Sequence, residues 1–429
     1  MQQIFPVTVV IVITALVVMF LQHLFPSRDR VYVWGCYLAH VVAAFTLITV
    51  SKAVYGRTDM SVYFEQGVML AEYLSLNFKS YGPELLKLIF QMEDPYIPID
   101  IFSTPGTSTT SMIGMSGVMM WLTNYSEFAT GLAFSFLAFT GQICIYAVMR
   151  PQFPEAYRKR IAFATLFLPS VVYWSGGVVK EAVALGGLGW MMLGFSLFVA
   201  HRQRGWGLLL MGGGAVIVSI SKAYILFPFA VGAAAWFYWD KSLKNTGRVA
   251  IVSKPFHMIG ALILGLGGMI LLGELFPMYS VENFAEEASR LQDVGSRNES
   301  AGSTYQMGDG ETTTLTGQLL FAPMALMAAL FRPFIFEAHN VMALINGLET
   351  FVVTLLFIQV LRTRGPRQTF QLLVSSPFLI FCIIFVLLFG LGVGLTTTNL
   401  GTLSRYRIPM MPMYVGLLLM LLPLKRPKR

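Results

Sequence analysis

The sequence predicts an all-α polytopic membrane protein, with about eleven transmembrane helices and amphipathic or re-entrant helices on the outer face. Three observations predict this. Of 429 residues, 55% are hydrophobic and only 12% charged, against about 25% charged in soluble domains. Mean hydropathy is +0.66, and apolar runs close to the roughly 20 residues that cross a hydrocarbon core recur along the chain. Basic residues cluster in the short connections between these runs, a pattern that records membrane orientation. The formal net charge of +8 therefore reports topology, and no nucleic-acid partner is expected.

Taken in order, the candidate spans lie near 4–25, 31–50, 128–149, 161–176, 182–200, 207–221, 224–239, 256–276, 341–361, 372–395 and 409–424. The first run has no positive leading region and no small-residue cleavage site. It reads as a retained helix, an additional N-terminal span within residues 1–30. The whole chain, 1–429, then forms a single transmembrane domain. Five basic stretches share one side: Arg150 with Arg158, Lys159 and Arg160; Arg202 with Arg204; Lys241 with Lys244, Arg248 and Lys254; Arg362 with Arg364 and Arg367; and the tail KRPKR. If they are cytoplasmic, the N-terminus is outside and the C-terminus inside. Two long acid-bearing loops, 51–127 and 277–340, then face outward. Within them, SMIGMSGVMMWL (111–122) and LLFAPMALMAALF (319–331) are too short to span. They read as re-entrant or interfacial helices covered by protein. Cys36, Cys144 and Cys382 lie in apolar runs, with neither a disulfide framework nor metal-ligand spacing. No metal and no cofactor is expected.

The polar residues hardest to explain collect on the outer side. In YGRTDMSVYFEQG (55–67), Asp59 opens an amphipathic helix with Tyr63 one turn later; the alternative is that Asp59 merely caps that helix. Glu65 reads as a solvated partner of Arg57 or Lys52. In LPSVVYWSGGVVKEAVALGGLGW (168–190), Lys180 and Glu181 stand in an apolar stretch. Neighbours on a helix do not face each other, so they point to different partners. Ionisable groups at membrane depth are costly and mark functional candidates. Lys222 interrupts two apolar runs in SISKAYILFP (219–228). FRPFIFEAHNVMALINGLE (331–349) brings Arg332, Glu337, His339 and Asn340, with Glu337 and His339 open to acid/base work and Arg332–Glu337 open to a structural bridge. Finally, NLGTLSRYRIPMMPMY (399–414) sets Arg405 and Arg407 at an outer edge, against the usual bias. Guanidinium forks match phosphate oxygens, so the pair suits a lipid phosphate; the alternative is an internal bridge to an outer carboxylate.

A span leading into a long outer loop, with an Asp before juxtamembrane helices, resembles the GT-C superfamily of glycosyltransferases. LPSVVYWSGGVVKEA, RPFIFEAHN and NLGTLSRYRIPMMP further resemble bacterial membrane proteins of exopolysaccharide and O-antigen clusters. The resemblance runs from about residue 30 onward. It implies a GT-C-like fold and transfer of a sugar from a polyprenyl-phosphate-linked donor to a lipid- or glycan-bound acceptor. The setting it implies is a bacterial inner membrane, with the active site facing the periplasm. It places the base on Asp59, a second catalytic carboxylate on Glu181, and the donor phosphate on Arg405 and Arg407. Tyr63, Lys180, Lys222, Arg332, Glu337, His339 and Asn340 complete the substrate-binding set. LSRYR is also similar to Wzy-type polymerases, which join lipid-linked repeat units. A transporter or flippase is the reading from another class, but such proteins carry polar sites at the midplane and internal repeats, and neither is visible in the sequence.

Overall fold

The computed structural model describes residues 3–92, 95–96, 106–200, 203–246, 315–338 and 340–424. The expected span 256–276, the expected outer loop from 277 to 314, and His339 lie outside the described residues. Among those described, the chain is helical with no β-strand. Among the described residues, seven helices are long and apolar enough to cross a membrane.

Two compact units divide the chain. The first holds Met1–Met149 and Thr165–Ala223. Its helices include α1 (Ile4–Leu21), α2 (Arg30–Val50), α3 (Asp59–Leu76), α4 (Phe78–Ile89), α5 (Ser108–Leu122) and α6 (Glu127–Met149). The short α7 (Arg158–Leu166) begins in the second unit's residues and ends in the first's, where α8 (Pro169–Trp174), α9 (Lys180–Val199) and α10 (Arg204–Lys222) follow. The expected span 161–176 is broken between α7 and α8, because Pro169 disfavours helical backbone at the residue before it and starts a new helix instead. Segment 111–122 lies within α5, which stops short of span length and packs along α3. Local chemistry explains the starts: Thr58 and Ser61 form a capping box ahead of α3, and Thr107 and Thr110 another ahead of α5.

Glycines bring α6, α9 and α10 into backbone contact. A Cβ on Gly141 would come within 2.2 Å of the Leu185 carbonyl oxygen, and one on Gly214 within 2.5 Å of the Gly187 oxygen. Such small-residue faces are how membrane helices associate where no hydrophobic driving force separates them from lipid. Between α2 and α6 lies a buried polar cluster: His40 Nδ1 is 3.0 Å from Ser135 Oγ, and His40 Nε2 is 2.6 Å from Gln142 Oε1.

The second unit holds Arg150–Ala164 and Tyr224–Arg429. It contains α11 (Leu226–Thr246), α12 (Leu315–Phe331), α13 (Val341–Leu373), α14 (Pro377–Thr396), α15 (Leu400–Tyr406) and α16 (Met411–Leu421). α10 and α11 are joined by a single 3-10 turn, Ala223–Ile225. The expected spans 207–221 and 224–239 therefore form one apolar run, Arg204–Lys241. The apolar helix at Ile408–Leu421 is shorter than a full span, as is Leu320–Phe331 within the segment read as re-entrant. α13 turns sharply at Gly365, where φ is +70°. At one end of this unit, Arg160 donates to the carbonyls of Leu419 and Leu422 at 2.9 and 2.7 Å, and Arg364 to that of Leu421 at 3.1 Å. Cations there satisfy the orphan carbonyls and the negative dipole end of α16.

Candidate functional site

In the first unit, three of the sequence-selected groups meet at one end. The chain leaves α2 through a π-helical turn, Ser51–Tyr55, and reverses at Gly56, whose φ is +67°. Ser51 Oγ lies 3.0 Å from Thr58 Oγ1, which in turn accepts from the Ser61 amide. Thr58 is therefore the cap of α3, and the capping alternative for Asp59 does not hold. Asp59 is the first helical residue and exposed, where its charge favours the positive end of the helix dipole. Tyr63 is buried, at 2% exposure, so its ring packs in the core of the unit. Lys52 pairs with Glu127 at the start of α6, and Arg57 Nη2 is 3.4 Å from Glu65. A cavity of about 580 Å³ runs beside this end, lined in part by Lys52, Met60 and Ser61.

Lys180 and Glu181 take different partners, as their adjacency on a helix requires. The Lys180 ammonium donates to Ser108 Oγ at 2.9 Å and to Thr109 Oγ1 at 3.0 Å, at the start of α5. Glu181 accepts from Lys222 at 2.8 Å, with side-chain exposures of 0% and 4%. The first residues of α9 and the last of α10 are thus tied by a buried ion pair. Removing two charges from water costs several kcal/mol per ion before their attraction offsets it. Sequence reasoning selected both residues but did not pair them. The available signal was that the Lys180–Glu181 pair and Lys222 each interrupt an apolar stretch. It missed Ser108 and Thr109, which carry no signal of their own.

In the second unit, Arg332, Glu337 and Arg407 form a separate network. Arg332 Nε lies 3.0 and 3.3 Å from the two oxygens of Glu337, which also accepts from the Phe334 amide at 2.7 Å. This is the structural bridge left open by the sequence. Arg407 is 1% exposed. It donates to the Arg332 carbonyl at 2.6 Å and to Thr350 Oγ1 at 2.7 Å. Burial pushes its pKa down, opposed by the Glu349 carboxylate. Arg407 is therefore an internal group, held by a carbonyl and a hydroxyl rather than by the outer carboxylate that the sequence left open. Arg405 is half-buried, with its guanidinium 5.7 Å from the centroid of the Tyr406 ring. Asn340 caps α13, accepting from the Ala343 amide at 2.8 Å. Among the described residues, no three His, Cys, Asp or Glu side chains gather as a metal site.

The sequence-selected residues thus fall into two groups, each described within its own unit. Asp59, Tyr63, Lys180, Glu181 and Lys222 stand in the first; Arg332, Glu337, Asn340, Arg405 and Arg407 stand in the second. No protein-family model, no curated protein and no solved structure matches the chain.

Proposed function

We propose that the protein is a membrane glycosyltransferase that takes its sugar from a polyprenyl-phosphate-linked donor at the outer face of a bacterial inner membrane, in cell-surface polysaccharide or glycoconjugate synthesis. The observation that carries the reading is in the first unit. An exposed carboxylate, Asp59, opens the helix that lines a ligand-sized cavity. At the same end, an ammonium group, Lys180, is held by two hydroxyls beside a buried Lys222–Glu181 pair.

In the reaction, the acceptor hydroxyl oxygen forms a bond to the anomeric carbon while the bond from that carbon to the donor phosphate breaks. The hydroxyl proton passes to Asp59 as general base, and the electron pair of the broken bond stays on the departing polyprenyl phosphate. The anomeric carbon passes through an oxocarbenium-like state. Lys180 is the first unit's cation for the growing phosphate charge. Glu181 positions Lys222 and the start of α9, which carries Lys180. Within the second unit taken by itself, Arg405 is the candidate for phosphate binding, while Arg407 ties to the Arg332 carbonyl and Arg332 to Glu337.

The test is incubation of the purified protein with lipid-linked sugars extracted from bacterial membranes, followed by mass analysis of the products. Transfer of a sugar by the wild type, lost in Asp59→Asn, is the expected result. Absence of transfer from every extracted donor, or full activity in Asp59→Asn, overturns the reading.

A further inference from the structure

The cavity along α3 has a chemistry of its own. Met60, Phe64 and Val68 recur at every fourth position and form one apolar wall. Ser51 and Ser61 bring hydroxyls, and Glu65, Glu72 and Glu127 bring carboxylates. A pocket of about 580 Å³ falls within the range that holds a small ligand, and a mainly apolar wall with a few polar groups is its usual make-up. Ser51 and Lys52 of its lining belong to the π-helical turn Ser51–Tyr55, a rare conformation that recurs at functional sites.

The charges are unequal. Lys52 is committed to Glu127 and Arg57 to Glu65. Glu72 has no ion-pair partner among the described residues. Its carboxylate faces a trough whose other charges are already balanced. An apolar wall beside acceptor oxygens suits a molecule with a C–H face and a hydroxyl edge. Hydrogen bonds from hydroxyl or ammonium donors to a carboxylate are charge-assisted, while a second anion beside Glu72 is repelled.

We infer that this trough binds a sugar that is uncharged or amine-bearing and turns away anionic sugars such as uronates. This rests on the proposed glycosyl transfer for the ligand's role as acceptor, but the binding itself is independent of it.

The experiment uses the full chain in lipid nanodiscs, without donor. Saturation-transfer NMR is recorded with N-acetylglucosamine, glucosamine and glucuronate. The first two are expected to bind, and glucuronate at least tenfold more weakly. Glu72→Gln, an exposed and isosteric change, is expected to shrink the glucosamine preference at least threefold. Val68→Trp, which fills the trough from its wall, is expected to abolish all three signals in protein that remains monodisperse. Glucuronate binding as well as glucosamine, binding indifferent to Val68→Trp, or no sugar binding at all overturns the inference. Transfer activity in a protein that binds no free sugar here removes the inference and leaves the function standing. Ordered sugar binding without transfer does the reverse.

Discussion

The buried Glu181–Lys222 pair makes the sharpest demand on single side chains. Glu181→Gln takes the carboxylate from an ammonium at 4% side-chain exposure, and is expected to cost about 3–5 kcal/mol. The double change Glu181→Leu/Lys222→Met removes both charges and is expected to recover most of that loss, read as apparent Tm in detergent. A double variant no more stable than Glu181→Gln would show that the pair is not the cause. Asp59 behaves oppositely. Because Thr58 is the cap, Asp59→Asn is expected to shift stability by no more than about 0.5 kcal/mol while transfer is lost. The two arginines separate in the same way. Arg407→Lys cannot reach both the Arg332 carbonyl and Thr350 with a planar fork, and is expected to destabilise by about 1–3 kcal/mol. Arg405→Lys is expected to leave Tm alone and weaken dependence on donor concentration; wild-type donor kinetics would remove Arg405 from the phosphate site. At this scale the sequence revealed which residues are unusual and hid what they touch. Lys180 and Glu181 stood out because charge is rare in apolar runs, whereas Thr350 and Ser108 stand in ordinary helical contexts. The partners of Arg407 are 57 and 75 positions away in sequence, and no local pattern encodes such separations.

Helices are the most legible level. The spans 4–25, 31–50, 128–149, 182–200, 341–361 and 372–395 each correspond to a long apolar helix, because hydrophobic run length alone determines them. The expected span 161–176 is the exception: it was read as one helix, but proline at 169 cannot continue the ladder from α7. What was not legible is the fusion of two runs into Arg204–Lys241. Lys222 reads as a boundary while its charge in fact lies buried against Glu181. Helix contact adds a further prediction. Gly141→Ala would press a methyl group against the Leu185 carbonyl and the Gly186 Cα. Backbone cannot yield as a side-chain end can, so a loss of about 1–3 kcal/mol is expected. Gly213→Ala, which meets nothing within 4 Å, serves as the control and should leave Tm unchanged or slightly raised. Equal Tm values for the two variants would deny the close approach of α6 and α9.

At the scale of the molecule, each unit sorts its polar ends. In the first, Gln3 accepts from Ser126 at the start of α6, so the chain's beginning joins the end that carries Lys52, Glu127 and Lys180. In the second, Arg160 and Arg364 gather at the C-terminal end of α16. The sidedness read from basic loops makes a testable demand on these ends. Membrane-impermeant maleimide tests it directly, because Cys36 and Cys382 are buried and Cys144 is only partly accessible. Lys79→Cys is expected to label in intact cells and Lys159→Cys only after permeabilisation. The opposite order would invert the topology.

The contact of His40 with Ser135 and Gln142 also has a consequence in time. Those partners follow it by 95 and 102 residues. At a ribosomal rate of about 5–20 residues per second, α2 reaches the membrane roughly 5–20 s before α6 exists. During that interval its imidazole faces hydrocarbon without the groups built to receive it, a costly placement. The second helix must therefore wait at the insertion machinery, or beside a chaperone, for the sixth. Assembly of this unit is a matter of rendezvous rather than of helices entering the bilayer one at a time.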